Sequence, residues 1–237
     1  MLYNLRLENI LFLDIETVPV VENYGQLDAV TQELFAHKTS YQRKEDVTPE
    51  EFYAKAGIWA EFGKIVCISV GFITNMDGER QFRVRSFYGE EKKLLQEFKD
   101  LLEAHYNNAN NLLCAHNGKE FDFPFLCRRM IIQGMQLPKI LQFFGKKPWE
   151  IPHLDTLDLW KFGDYKHYTS LKLLTHILKI PSPKDDLDGS QVREVFYKEN
   201  DLERIVNYCE KDTIAVAQIV LRLQQKPILE PHEIVSV

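Results

Sequence analysis

The chain has 237 residues, 45% of them hydrophobic and 27% charged, with 29 Lys plus Arg against 35 Asp plus Glu for a net charge of −6. This is ordinary globular composition, and it excludes whole-chain disorder, a collagen-like repeat and a disulfide-stapled miniprotein. The acidic balance argues against a protein that coats nucleic acid non-specifically, but it leaves room for an enzyme that meets phosphates through metal ions and a few local cations.

No stretch approaches the roughly 20 apolar residues that span a bilayer. The run Ile10-Leu11-Phe12-Leu13 is cut short by Asp14 and is no signal-peptide core. Cys67, Cys114, Cys127 and Cys209 are widely spaced with no C-x-x-C, which predicts buried free thiols in a reducing cytoplasm. Repeats, low-complexity tracts and Gly/Ser/Pro linkers are missing from the sequence, so 1–237 reads as one domain.

In chain order, 10–17 predicts a short buried strand. Residues 21–60 read as a helical insertion, its second helix starting at Thr48-Pro49-Glu50-Glu51 with an N-cap, Pro at N1 and acids in the first turn. Runs 64–74 and 81–88 predict a hairpin around Asn75-Met76-Asp77-Gly78. Leu94, Leu95, Phe98, Leu101 and Leu102 give 90–106 helical spacing. A strand is expected at 112–116 and a helix from about 122 to 133, stopped by Gly134. Further helices are expected near 155–162, 169–179, 190–198 and 200–225, with a loose tail after Pro227. Strands first and helices later imply an α/β fold with a mixed sheet.

Three acidic features stand out. Asp14 and Glu16 are two apart on a strand and share a face at the end of an apolar run. They are either wet acids where the strand emerges or part of a site. The last predicted helix has an apolar stripe at Ile205, Cys209, Val216, Ile219, Val220 and Leu223. Asp212 falls on that stripe, and Tyr208 lies one turn earlier. A carboxylate facing a core needs a compensating charge or metal, unless it sits at the stripe's edge and pairs with Arg204 or Lys211. His116-Asn117-Gly118 leads through Phe121-Asp122 into a helix, where Asp122 is a ligand or simply an N-cap. If the four acids converge, like charges about 4 Å apart repel by roughly 4 kcal/mol per pair at an effective dielectric near 20. Such a cluster needs a divalent cation or bound protons. With carboxylate oxygens alone as donors, Mg²⁺ or Mn²⁺ is favoured over Zn²⁺, and two such ions about 3.5–4 Å apart are the usual device for cleaving phosphodiesters.

Asp14-x-Glu16, Asn117-x-x-x-Phe121-Asp122 and Tyr208-x-x-x-Asp212 stand in the order of the three motifs of DEDDy 3′–5′ exonucleases. Together with His116-Asn117-Gly118 and His153-Leu154-Asp155-Thr156, they make the chain resemble the predicted stand-alone 3′–5′ exonucleases related to the proofreading domain of family B DNA polymerases. The resemblance implies a ribonuclease H-like fold with about five strands. It implies hydrolysis of single-stranded nucleic acid, DNA favoured over RNA, from the 3′ end to 5′-mononucleotides with two Mg²⁺ or Mn²⁺ ions. Position by position, Asp14 would bridge both metals. Glu16 and Asp212 would complete the site of the one holding the attacking water, and Asp122 would serve the other. Tyr208 would orient the water. Thr17 and Asn117 would lie near the terminal sugar, and Phe121 near the terminal base or in packing. The alternatives are an RNA-trimming enzyme and a catalytically weak nucleic-acid-binding module. No polymerase region is expected at this length. The insertion at 21–60 departs from the family pattern and could be a lid, a clamp or a partner surface. Asp155 and Asp158 read as a strand-end turn and a helix start, and Trp149 as core. Walker A, G-x-S-x-G, H-E-x-x-H and G-x-G-x-x-G signatures do not occur.

Overall fold

A computed structural model describes residues 2–76, 78–164, 166–181 and 187–237. Six strands form one mixed sheet: β1 (Ile10–Pro19), β2 (Gly63–Met76), β3 (Glu79–Tyr88), β4 (Leu112–Ala115), β5 (Leu154–Asp155) and β6 (Ile234–Ser236), in the order β5-β4-β1-β2-β3-β6. β1 is central, antiparallel to β2 and parallel to β4. Covered on both faces, it reads as the near-continuous apolar run expected of such a strand. The helices are α1 (Ala29–Thr39), α2 (Pro49–Phe52), α3 (Glu91–His105), α4 (Asp122–Ile132), α5 (Thr156–Lys161), α6 (Leu171–Ile177), α7 (Val192–Glu194) and α8 (Leu202–Leu223).

The two-residue period of β1 divides its side chains between two cores. Leu11, Leu13 and Ile15 join Ile68, Val70 and Phe87 beneath α3 and α4, which contribute Leu94, Phe98, Phe123, Leu126 and Met130. Ile10 and Phe12 face the other way, with Phe82 and Val84, against Val216, Ala217, Val220 and Leu221 of α8. Asp14 and Glu16 continue this second stripe toward the strand end. Packing on that face is tight: a Cβ at Gly71 would lie 2.1 Å from the Phe82 ring, so only glycine fits there.

Local signals place the helix ends. Thr48 and Glu51 form a reciprocal capping box at α2, and Gly134, with φ +75°, follows α4. Residues 21–60 hold α1 and α2 around a small aromatic core of Phe35, Tyr53 and Phe62, with Tyr24 and Trp59 at its edge. The predicted hairpin forms between β2 and β3; its tip residue Asp77 lies outside the described residues.

Two expectations change. The segment after Pro227 is no loose tail: Arg80 donates to both carboxylate oxygens of Glu233 and to the Pro227 and Ile228 carbonyls, and β6 pairs in parallel with β3 as a sixth strand. Trp149 is not core but 75% exposed, with the Lys147 ammonium 5.3 Å from its ring. A cation over its face lets an aromatic ring stay in solvent at lower cost.

α3, α4 and β2 are tied by a buried ion pair. Arg129 donates from Nε and Nη2 to Glu91 at 2.8 and 2.5 Å and from Nη1 to the Ala60 carbonyl, while Glu91 also accepts from the Ile65 amide and from Gln133. Both side chains are under a tenth exposed. Removing one partner leaves a buried charge uncompensated. Arg129→Ala should therefore cost about 3–5 kcal/mol, read as a lowered urea midpoint at unchanged slope.

Candidate active site

The site is built where the second stripe of β1 changes character. Asp14 and Glu16 extend the line of Ile10 and Phe12, and the N-terminal half of α8 lies over them as its C-terminal half lies over the apolar pair. A register shift between Glu16 and Thr17 against β2 marks a bulge there, of the kind that re-aims side chains near functional sites. Asp212 and Tyr208 come from one face of α8, and the Tyr208 hydroxyl donates to the Asp212 carboxylate. Asp122 enters from the first turn of α4, where the helix N-terminus favours an anion. It is not the N-cap, a position held by Phe121. The amides of Ile15 and of Asp122 itself donate to its carboxylate.

The electrostatics record the convergence. Burial, then Glu16, Asp212 and Asp122, holds the Asp14 carboxyl well above the usual carboxylate range. Burial, then chiefly Asp212, does the same to Glu16. Asp122 is pushed up to about 7, mainly by burial, with Asp155 and Asp212 adding to it. Tyr208 is raised far above its ordinary value by burial and then by Asp212, Glu16 and Asp14. Five predicted residues from three separate elements thus form one cluster.

The other candidates lie around it in different ways. Thr17 donates its hydroxyl to the Gly57 carbonyl at 2.9 Å, linking the strand end to the insertion. Asn117 takes a left-handed backbone, φ +62°, at the start of the loop that leads to Asp122. Phe121 packs its ring 5.3 Å from Phe125 at the edge of the first core. Asp158 is drawn to Lys119 and Lys161. Arg204 binds Glu199 at 2.7 Å.

Sequence reasoning missed Cys209 as a site neighbour. Its thiol lies 3.3 Å from both the carbonyl and Oδ2 of Asp14, and burial raises it so that it remains an S–H donor. The signal was available: Cys209 sits three residues before Asp212 on the same stripe. Asp14, Glu16 and Cys209 each bring a ligand atom within 4.8 Å of the others, which makes a possible metal-binding cluster. Burial and like charge hold these carboxyls above their ordinary range, and hard oxygen donors suit a divalent cation.

A family model described as "Predicted 3′–5′ exonuclease related to the exonuclease domain of PolB" matches residues 58–227, well over half of the chain. The chain belongs to this family. The match takes in Asn117 to Asp122 and Tyr208 to Asp212 and begins after Asp14 and Glu16, which the fold brings back beside them. Exonuclease domains of this kind are metal-dependent. Among solved structures, the family B DNA polymerase from the hyperthermophilic archaeon Pyrobaculum calidifontis is similar over 90% of this chain and 24% of its own length, with a TM-score of 0.53 and 14% identity. At that identity the likeness concerns the fold, which is ribonuclease H-like. No curated protein matches the sequence. Among the described residues, no helix is long and apolar enough to cross a membrane.

The raised carboxyls make a prediction about the metal-free protein. A group with a raised folded pKa binds more protons folded than unfolded, so its contribution is complete below the unfolded value, near 4, and is lost as pH rises through the folded value. Asp14→Asn, which keeps the shape and removes one charge, should raise the melting temperature in EDTA at pH 8. The gain over the unaltered protein should shrink as pH falls toward 4. Scanning calorimetry across that range checks both the sign and the trend.

Proposed function

We propose that the chain is a 3′–5′ exonuclease acting on single-stranded nucleic acid, DNA in preference to RNA, and releasing 5′-mononucleotides. The proposal covers 1–237 as a single exonuclease domain, with 21–60 an insertion beside the strand end. One observation carries it: four carboxylates and a tyrosine, drawn from β1, α4 and α8, share one partly buried cluster, in which burial and the neighbouring acids raise Asp14, Glu16, Asp122 and Tyr208 above their ordinary range.

Asp14, Glu16, Asp122 and Asp212 would hold two Mg²⁺ or Mn²⁺ ions. Bound there, the ions would lower the pKa of water and neutralise charge developing on the phosphate. Asp14 is central to the set, since its carboxyl feels all three other acids. Tyr208 keeps its proton across the physiological range, so it orients by hydrogen bonding and does not act as a base. Asn117 and Thr17 would position the terminal sugar. Phe121, packed against Phe125, would serve by packing.

The test is a time course with Mg²⁺ or Mn²⁺ on 5′-labelled single-stranded DNA and RNA. A ladder shortening from the 3′ end is expected, faster on DNA and abolished by EDTA. Asp14→Ala should remove nearly all turnover while circular dichroism stays unchanged. Tyr208→Phe should lower kcat by about 10- to 100-fold and keep metal-dependent thermal stabilisation. Metal binding without cleavage of either polymer would point instead to a nucleic-acid-binding module of the same fold.

A further inference from the structure

We propose that His153-Leu154-Asp155-Thr156 is the positioning element of the second acidic motif, with the Asp155 carboxylate as the clamp that fixes the loop carrying Asp122; this rests on the exonuclease reading.

The loop needs such a clamp. β4 ends at Ala115, and β5, its neighbour, is only two residues long. The parallel ladder pairs Cys114 with Leu154 and Ala115 with Asp155, and there backbone pairing stops. Within seven residues the chain must then turn and deliver Asp122 into the cluster. It does so through Asn117 in a left-handed conformation, which is costly for a residue other than glycine. It also passes through Gly118, where a Cβ would meet that of Ala115 at 2.5 Å. Strained turns of this kind persist only where surrounding contacts over-determine them.

Those contacts come from the four-residue segment. His153 accepts from the Leu113 amide at 3.2 Å through Nδ1 and donates from Nε2 to the Ile140 carbonyl at 2.9 Å. Asp155 accepts from the Asn117 amide at 2.9 Å on Oδ1 and from the Lys119 amide at 3.0 Å on Oδ2. The Thr156 hydroxyl lies 2.9 Å from Nδ1 of His116, whose Nε2 donates to the Thr169 carbonyl at 3.0 Å. The segment therefore grips residues 113, 116, 117 and 119 in succession. Asp155 is only 3% exposed, and its Oδ1 also accepts from the Leu157 and Asp158 amides at the start of α5. With both oxygens committed to backbone donors, Asp155 is a positioning residue and not a fifth ligand. Hydrogen bonds to an ionised acceptor are the strong kind, suited to holding a strained loop.

The test compares Asp155→Asn with the unaltered full chain. Asparagine keeps the size and can still cap α5, but its NH₂ group faces one of the two loop amides, donor against donor. Mn²⁺ affinity by calorimetry and kcat on 5′-labelled single-stranded DNA should each fall about 10- to 100-fold, with KM within about twofold and the melting temperature lower by only a few degrees. A lowered melting temperature with unchanged Mn²⁺ affinity and unchanged kcat would overturn the proposal, because it would leave Asp155 a merely structural cap. If Asp155→Asn does not fold, the near-isosteric Thr156→Val should weaken Mn²⁺ binding by a smaller factor, and unchanged affinity there would overturn it equally. Failure of the unaltered protein to bind Mn²⁺ or shorten DNA would strike the exonuclease reading itself, a separate outcome.

Discussion

The arrangement depends on one conflict: Asp14, Glu16 and Asp122 are brought together with Asp212 of α8, where desolvation and the neighbouring acids both oppose ionisation of the first three. β1 and α8 contain the conflict by dividing their shared interface along its length. At one end Ile10 and Phe12 meet Val216, Ala217, Val220 and Leu221 and supply ordinary apolar burial. At the other, Asp14 and Glu16 meet Tyr208, Cys209 and Asp212. The same strand and helix make both halves, so the packed half fixes the register that brings the acidic half together. A site on a rigid strand and helix keeps its geometry better than one on loops.

Polar groups beneath α8 ease the transition between the halves. Ser69, which pairs in register with Asp14, lies 2.7 Å from Ser86 Oγ, and Ser86 donates to Glu210 at 2.8 Å. The Thr213 hydroxyl contacts the carbonyls of Ser69 and Cys209. These groups satisfy one another in a seam where an apolar core would otherwise meet a carboxylate directly. The Cys209 thiol belongs to the same seam: a weak donor at 3.3 Å from Asp14 Oδ2, it gives that carboxylate a favourable contact from the protein. The fold accommodates the cluster with its carboxyls held above their ordinary range, a state that a bound cation would relieve.

Much of this could be read in the sequence, for definite reasons. The period of two in β1 put Asp14 and Glu16 on one face, and the stripe of α8 put Asp212 and Tyr208 on another; both are local periodicities that survive folding. Thr48 and Gly134 marked helix ends by backbone chemistry that acts within a few residues. What escaped depends on partners distant in the chain. β6 forms because Arg80, some 150 positions earlier, captures Glu233. Asp155 looked like a strand-end turn and helix start, and it does cap α5, but its grip on Asn117 and Lys119 spans nearly 40 residues and exists only once β4 and β5 are paired. Trp149 looked like core by composition, yet neighbouring Lys147 covers its ring in solvent.

Tyr208 shows how the same field that strains the acids defines what the site can do. Burial, and then the negative charge of the acids, raises the phenol as it raises the carboxyls, so its hydroxyl keeps its proton across the physiological range. A protonated hydroxyl donates one hydrogen bond and accepts others, and here the donated bond goes to Asp212. It can therefore hold a water molecule by its lone pairs but cannot take that water's proton. Under the exonuclease reading, acidification of the water must come from a bound cation. The acids are the only residues of the cluster suited to hold that cation with hard oxygen donors. The tyrosine and the carboxylates are then not independent choices: the acids shift the hydroxyl further toward its protonated form, the form in which it donates to Asp212.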